Sequence, residues 1–407
     1  MSARYRSHAQ WRLARRMTPL APAGVYVHVP FCLAKCAYCD FSSYAGLAPH
    51  YDAYVDAVCA QAVVEAPAWQ SVTFISLFLG GGTPTVLSPA SLGRILATVR
   101  ERLPWAAQPE ISLEANPGTV TLDSLRALRT LGINRLSLGV QSLQDSELAL
   151  LGRIHTAAEA VQAVVDARRA SFANLNLDLM YGLPRQTLAA WQDTLERALA
   201  LAPEHLSLYA LSLEEGTPLA AQVARGELPE PDADLAADMY LWAEERLATA
   251  GYVHYELSNW ARHSPGDDER PFPALACRHN LLYWQNERYL GLGAAAATFD
   301  GQQRSVALDH PLAYLAAMHT GQGVIASAET LSPEERLDET VMLGLRLVRG
   351  IGWADLERRL GVDARALYAP IIAEQQALGL LAVDDWGMRL TPRGRLLGNR
   401  VFAAFLR

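Results

Sequence analysis

Cysteine is scarce in this 407-residue chain. There are five, too few and too unevenly spread for a disulfide scaffold. Charge is scarce as well: charged residues make up 19%, and 43 acids against 35 bases give a formal net charge of −8. A dominant nucleic-acid-binding role is thereby excluded, because it needs a clear basic footprint. No apolar run reaches the length that crosses a bilayer, and there is no internal repeat and no low-complexity tract beyond alanine richness. Hydrophobic residues, by contrast, are 51% of the chain, enough for a large core and far from a disordered composition. The length suits two or three domains.

Residues 1–24 carry five arginines and no acid. They lack the continuous apolar core of a secretory signal and read as an N-terminal tail on a cytoplasmic protein, although a mitochondrial-type presequence shares the pattern. From residue 25 a rhythm sets in. Short apolar runs at 25–29, 72–79, 110–115, 135–140, 174–180 and 205–213 alternate with amphipathic stretches at about 49–66, 88–102, 121–131, 157–171 and 187–201. Strands alternating with helices predict parallel βαβ units. Six of them fit a partial (β/α)6 TIM-like barrel, with a doubly wound sheet as the alternative. Residues 226–330 are less regular, with a helix expected at 232–250, an exposed loop at 263–273, and only small residues and turns over 286–326. From 331 to the end, three helices at 333–348, 353–360 and 363–378, a hairpin near Gly387 and a last helix from 392 predict a mostly helical, winged-helix-like module.

Three cysteines fall within eight residues, as Cys32-Leu-Ala-Lys-Cys36-Ala-Tyr-Cys39. Thiolates are soft ligands suited to iron–sulfur clusters and to zinc. A zinc site expects four ligands, commonly two separated pairs, and no second pair exists. Three thiolates on one short loop can hold three irons of a cubane and leave the fourth open to a small chelating ligand. Three buried free cysteines acting as small hydrophobes are the competing structural reading. Polar residues gather where parallel α/β folds do their chemistry, at the carboxyl ends of strands: Gly80–Pro84 after the second run, Glu114 and Asn116 at the third, Gln141 at the fourth, Asp178 near the fifth. Consecutive glycines let backbone approach a ligand closely, and a carboxylate such as Glu114 accepts hydrogen bonds from ribose hydroxyls.

The CxxxCxxC spacing, with Tyr38 before the third cysteine, resembles the signature of the radical S-adenosylmethionine (SAM) enzymes. The wider match is to the HemN/HemW family, through Tyr26-Val-His-Val-Pro-Phe-Cys, Gly80-Gly-Gly-Thr-Pro-Thr, Leu113-Glu-Ala-Asn-Pro, Arg135-Leu-Ser-Leu-Gly-Val-Gln-Ser, Leu151-Gly-Arg-Ile-His, Asn176-Leu-Asp-Leu-Met-Tyr-Gly-Leu-Pro and Cys277-Arg-His-Asn-Leu-Leu-Tyr-Trp. The resemblance implies a radical SAM barrel over 25–225, a barrel extension over 226–330 and a HemN-type C-terminal domain over 331–407. It implies a [4Fe-4S] cluster on Cys32, Cys36 and Cys39, with S-adenosylmethionine on the open iron. Cofactor contacts carry over to Tyr26, Gly81, Gly82, Thr83, Glu114, Gln141, Arg153 and Asp178, and Tyr38 is a stacking residue beside the adenine. His279-Asn-Leu-Leu-Tyr-Trp284 matches an HNxxYW motif, which makes His279 the candidate haem ligand. A satisfied core histidine is the competing reading. Cys277 lies close enough in sequence to line the same pocket, Cys59 reads as core, and His28 and His155 receive no role.

Two activities compete within the family. The oxygen-independent coproporphyrinogen III oxidases carry a further cysteine two residues after the third, where this chain has Phe41. The Cys39-Asp40-Phe41 form and HNxxYW favour a haem chaperone that delivers haem to apo-proteins of respiration. A radical methylase or haem-degrading relative is a third, more distant reading. The resemblance leaves room for a flavodoxin-like reductant, a homodimer and peripheral membrane contact.

Overall fold

The computed structural model describes residues 22–406, so the expected tail lies, up to residue 21, outside the described residues. Strands β1 (Pro22–Val29), β2 (Thr73–Gly81), β3 (Trp105–Ala115), β4 (Arg135–Gln141), β5 (Leu175–Tyr181) and β6 (His205–Ala210) alternate with helices α1 (Tyr51–Glu65), α2 (Pro89–Arg102), α3 (Leu122–Thr130), α4 (Ala157–Arg169) and α5 (Leu188–Ala200). The helix starts are chemically fixed. Ser88 accepts a hydrogen bond from the Ser91 amide ahead of Pro89, and Thr121 with Ser124 and Thr156 with Glu159 form reciprocal capping boxes.

The six strands lie side by side in sequence order, every pair parallel. A doubly wound sheet would reverse from a central strand. Uninterrupted order is instead the progression of a barrel, so the architecture is an α/β fold of the partial-barrel type. Alternation along the strands separates two environments. Val25, Val27, Leu77, Leu79, Leu113, Leu136, Leu138, Leu177 and Leu179 are fully buried in the core shared with the helices. Their neighbours Ser76, Ser112, Ser137, Asn176 and Ser207 are buried too, which gives the barrel a polar interior.

The extension corrects the sequence reading. Residues 252–330 supply six more strands, β7 (Tyr252–Glu256), β8 (Asn259–Arg262), β9 (Arg288–Leu292), β10 (Ala297–Phe299), β11 (Gln303–Ala307) and β12 (Ile325–Thr330). Four of them fall within or run just past the stretch read as turns. β9 pairs parallel with β1 and so acts as a seventh barrel strand, while β8 runs antiparallel to β6 at the other side. The strands escaped notice because they are short: Arg-Tyr-Leu-Gly-Leu carries a glycine and too few residues for a period to show.

The C-terminal residues form their own core around Val341, Leu356, Tyr368, Met388 and Phe402, with a three-stranded sheet of Ile351–Gly352, Leu381–Val383 and Gly387–Leu390. The helix expected over 363–378 is two, Ala364–Leu367 and Ala369–Ala377, with a proline in the first turn of the second. No helix among the described residues is long and apolar enough to cross a membrane.

Candidate functional site

The cysteine loop leaves the carboxyl end of β1 and is pinned to the turn after β2. The Gly82 amide donates to Val29 O (2.9 Å) and the Thr83 amide to Phe31 O (2.8 Å). This nesting requires glycine: a Cβ on Gly82 would stand 2.6 Å from Phe31 O and 3.0 Å from Cys32 Sγ. Gly81 has φ +113°, and a Cβ there would strike the His28 ring at 2.6 Å.

All three loop cysteines are half-buried. Cys32 Sγ lies 3.6 Å from Thr83 Oγ1 and Cys39 Sγ 3.8 Å from Ser43 Oγ. Arg153 Nη1 donates to Cys36 Sγ at 3.4 Å, and its Nη2 donates to Gly139 O at 2.6 Å. Burial pushes the Cys32 thiol up, opposed by the hydroxyls of Thr83 and Ser43. Among the described residues no three metal-ligating side chains gather closely enough for a single ion. A cubane asks for a wider cradle, since each sulfur takes a different iron. Three thiols on one loop with hydroxyl and guanidinium groups around them, and no carboxylate bonded to these three sulfurs among the described residues, fit a thiolate-held cluster.

Beside this loop stand the acids. Glu114, at the end of β3, accepts the Gly81 amide at 3.1 Å. Burial, then the charge of Asp178, push its carboxyl up to about 8. Asp178 on β5 accepts from Ser137 Oγ (2.9 Å) and Asn176 Nδ2 (2.8 Å); burial raises it as well, against those hydrogen bonds. Gln141 ends β4 in a left-handed backbone conformation, φ +66°, next to a register shift. A Cβ on Gly139 would lie 3.1 Å from Gln141 Nε2 and 3.2 Å from Arg153 Nη2, so both groups overhang that glycine. Tyr38 packs by Leu151, Met180 and Leu183, and burial raises its phenol.

Tyr26 is tied into the site through a residue left without a role by its sequence. Its hydroxyl donates to His28 Nδ1 (2.9 Å), while His28 Nε2–H donates to Ser42 O (2.9 Å). This chain spans β1 and the cysteine loop. Burial lowers the His28 pKa, consistent with a neutral ring. Position in the Tyr-Val-His motif was the only signal.

His279 lies deeper. It sits in helix α7 (Arg278–Trp284; α6 being Ala233–Thr249) and is 1% exposed. Nδ1 is 2.9 Å from Ser76 Oγ and Nε2 3.1 Å from Tyr283 OH. The ring stacks on Phe78 with centroids 5.4 Å apart. Burial, then the Arg135 charge, bring its pKa down to about 3. Both ring nitrogens are engaged within the fold, so an axial bond from His279 would first have to break one of these contacts.

The start of α7 is capped from another element. Glu110 on β3 accepts the Arg278 and His279 amides through Oε1 at 3.0 and 3.4 Å, and Cys277 Sγ lies 3.6 Å from the same oxygen. Nearby Arg135 is wholly buried, with Nε unpartnered. Burial alone favours its neutral form, but Cys277, Glu110, Tyr255 and Asp178 raise its pKa. Glu110→Ala is expected to lower unfolding free energy by about 3–5 kcal/mol, measured by chemical denaturation, because it uncaps α7 and removes one of the acids that act on a buried cation. Sequence reasoning missed Glu110, since an acid inside a barrel strand looks like one on a surface strand. Cys59 packs against the main core, as expected.

Residues 26–198 match the radical SAM superfamily and residues 331–397 the HemN C-terminal domain. Proteins named "Heme chaperone HemW" are similar nearly end to end: that of Mycobacterium tuberculosis is 36% identical, over 95% of this chain and 96% of its own, and that of Synechocystis is 39% identical, over 83% and 81%. Among solved structures, the Escherichia coli coproporphyrinogen III oxidase HemN, described as a radical SAM enzyme, superposes with a TM-score of 0.83 at 27% identity, over 98% of this chain and 93% of its own.

Proposed function

Because this chain belongs to the HemN/HemW family of radical SAM proteins, we propose that it is a haem chaperone: it binds a [4Fe-4S] cluster, S-adenosylmethionine and haem, and hands haem to apo-haem-proteins. The observation that carries this reading is the near full-length similarity to proteins named haem chaperones, joined to Phe41 where the oxidases have a further cysteine.

Each part of the site has a task in this reading. Cys32, Cys36 and Cys39 would hold the cluster, which would supply a low-potential electron when bound. Thr83 Oγ1 lies within hydrogen-bonding distance of Cys32 Sγ, and Arg153 donates to Cys36 Sγ. S-adenosylmethionine carries an ammonium and a sulfonium, and the paired acids Glu114 and Asp178 suit such a cationic ligand. Gly81, Gly82, Thr83 and Gln141 present backbone and amide groups at the same mouth, Tyr26 orients the His28 link to the loop, and Tyr38 is placed for the adenine. Residues 25–225 thus form the cofactor core, with 226–330 and 331–407 carrying the cargo side. The setting is the cytoplasm, the recipients are respiratory haem proteins, and a flavodoxin-like protein is the matching reductant.

The strongest rival is oxidative decarboxylation of coproporphyrinogen III, favoured by the HemN superposition. Side-by-side assays separate the two. The chaperone reading expects haem transfer to an apo-cytochrome and no protoporphyrinogen IX under anaerobic, reducing conditions with S-adenosylmethionine. Protoporphyrinogen formation over many turnovers would reject it.

A further inference from the structure

A cleft of about 510 Å³ lies between the Pro271–Gln285 segment and the C-terminal module, away from the cysteine loop. Its walls are flat and apolar: Phe272, Trp284 and Trp386 face it, together with Leu347, Ile351 and three glycines. Trp386 is 43% exposed although it packs on Gly352, 3.3 Å from where a Cβ would stand. Trp284 Nε1 is buried and has no hydrogen-bond partner. The polar part of the lining is basic. Arg349, Arg358 and Arg359 face a single acid, Asp355, a local excess of positive charge on a chain whose formal net charge is −8.

The arginines are not equally engaged. Arg359 bonds Glu287 and Asp355 at 3.4 and 3.5 Å, and Arg358 pairs with Asp355 at the surface. Arg349 has no carboxylate within ion-pair distance among the described residues. It donates to Pro271 O at 3.3 Å and lies over the rings of Phe272 and Trp386, 5.4 and 4.7 Å from their centroids. A guanidinium held between aromatic faces, with no carboxylate bonded to it among the described residues, is a receptor for a carboxylate on a flat hydrophobic ligand. The volume is that of a small-molecule pocket.

We propose that this cleft, resting on the haem reading above, is the cargo site: it takes a planar dianionic tetrapyrrole by stacking on Trp386 and Trp284, with Arg349 and Arg358 receiving its two carboxylates. Among the described residues the lining contains no histidine, cysteine, methionine or tyrosine, so these residues give the metal no bond in the cleft. Recognition is of the macrocycle and its carboxylates, which lets an acceptor protein's own axial ligand draw the cargo away. His279 and Trp284 divide the work of one helix. The histidine is locked into the barrel core, and the tryptophan reaches the cleft from the opposite end of α7.

The test is anaerobic titration of the cluster-loaded, full-length protein with haem and, separately, with iron-free protoporphyrin IX, followed by tryptophan quenching and Soret absorbance. Wild type is expected to bind both with dissociation constants within about threefold of each other. Trp386→Ala with Arg349→Ala is expected to weaken both by tenfold or more, with iron content and S-adenosylmethionine binding unchanged. Arg349→Lys alone, which keeps the charge and loses the planar fork, should fall between. Wild type that binds haem but not the iron-free porphyrin would overturn the proposal in favour of an axial ligand such as His279. Equal affinity of the double variant and wild type would move the site elsewhere and leave the chaperone reading standing. Failure of wild type to bind either compound would reject the chaperone reading itself and the cleft with it.

Discussion

Replacing Cys32, Cys36 and Cys39 together by serine is expected to take the anaerobically reconstituted protein from about four irons and four sulfides per chain to essentially none. In the proposed cluster each sulfur would be the sole protein bond to its iron, and a serine hydroxyl is a hard, weakly acidic substitute for a soft thiolate. Single substitutions should lose most of the cluster, because two remaining protein bonds hold it poorly. The barrel itself should survive. The three cysteines are half-buried and belong to none of the hydrophobic clusters that contain the strands and helices. The cluster-free triple variant should therefore unfold within about 0.5 kcal/mol of cluster-free wild type, as substitutions outside a packed core usually do. Iron and sulfide assays beside a urea melt read both quantities. Retention of a full cluster in the triple variant would contradict the assignment, and collapse of the fold would show the loop to be structural.

Glu114→Gln is expected to act in opposite directions on stability and on ligand binding. The folded carboxyl titrates at about 8 because of burial and the nearby Asp178 charge, against an ordinary value of 4.5. Folding therefore takes up a proton at neutral pH. The carboxyl costs the fold nothing below about pH 4.5, and it destabilises progressively as pH rises from there to about 8, where the full penalty is reached. At pH 7 that penalty is on the order of 3 kcal/mol. Glutamine keeps an oxygen for the Gly81 amide and cannot ionise. The cluster-free variant should melt above wild type at pH 7 to 8, and the gap should close near pH 4.5. The same change removes the negative charge that a cationic ligand would recruit, so S-adenosylmethionine should bind tenfold or more weakly by equilibrium dialysis. A variant both less stable at pH 8 and unimpaired in binding would mean that Glu114 is an ordinary structural acid.

The residues that proved legible in the sequence are those whose chemistry is marked by position as well as type. Glu114 and Gln141 were found because each closes an apolar run, and the structure puts both at the carboxyl ends of their strands; Asp178, read as lying near a strand end, sits in the middle of Leu175–Tyr181. The glycines of the second turn were found because three in a row demand close approach, and a Cβ on Gly82 would indeed meet the cysteine loop. The barrel followed from six well-spaced strands with capped helices between them. What stayed hidden depends on long-range pairing. β9 returns to lie beside β1 from more than 250 residues away, and no local pattern encodes that neighbour. Glu110 sits mid-strand and Arg135 opens its strand, and only the closing of the sheet tells inside from outside there. His279 carried a motif that already contains Tyr283, the partner of one of its nitrogens, but Ser76, the partner of the other, comes from a strand that the sequence does not visibly join to it.

The most direct measurement is electron paramagnetic resonance of the dithionite-reduced, reconstituted wild-type protein, recorded with and without S-adenosylmethionine alongside metal analysis. A cubane on three cysteines with one open iron predicts a [4Fe-4S]+ signal whose g values shift when S-adenosylmethionine is added. A protein that holds only zinc or no metal, or a cluster signal indifferent to S-adenosylmethionine, would contradict it.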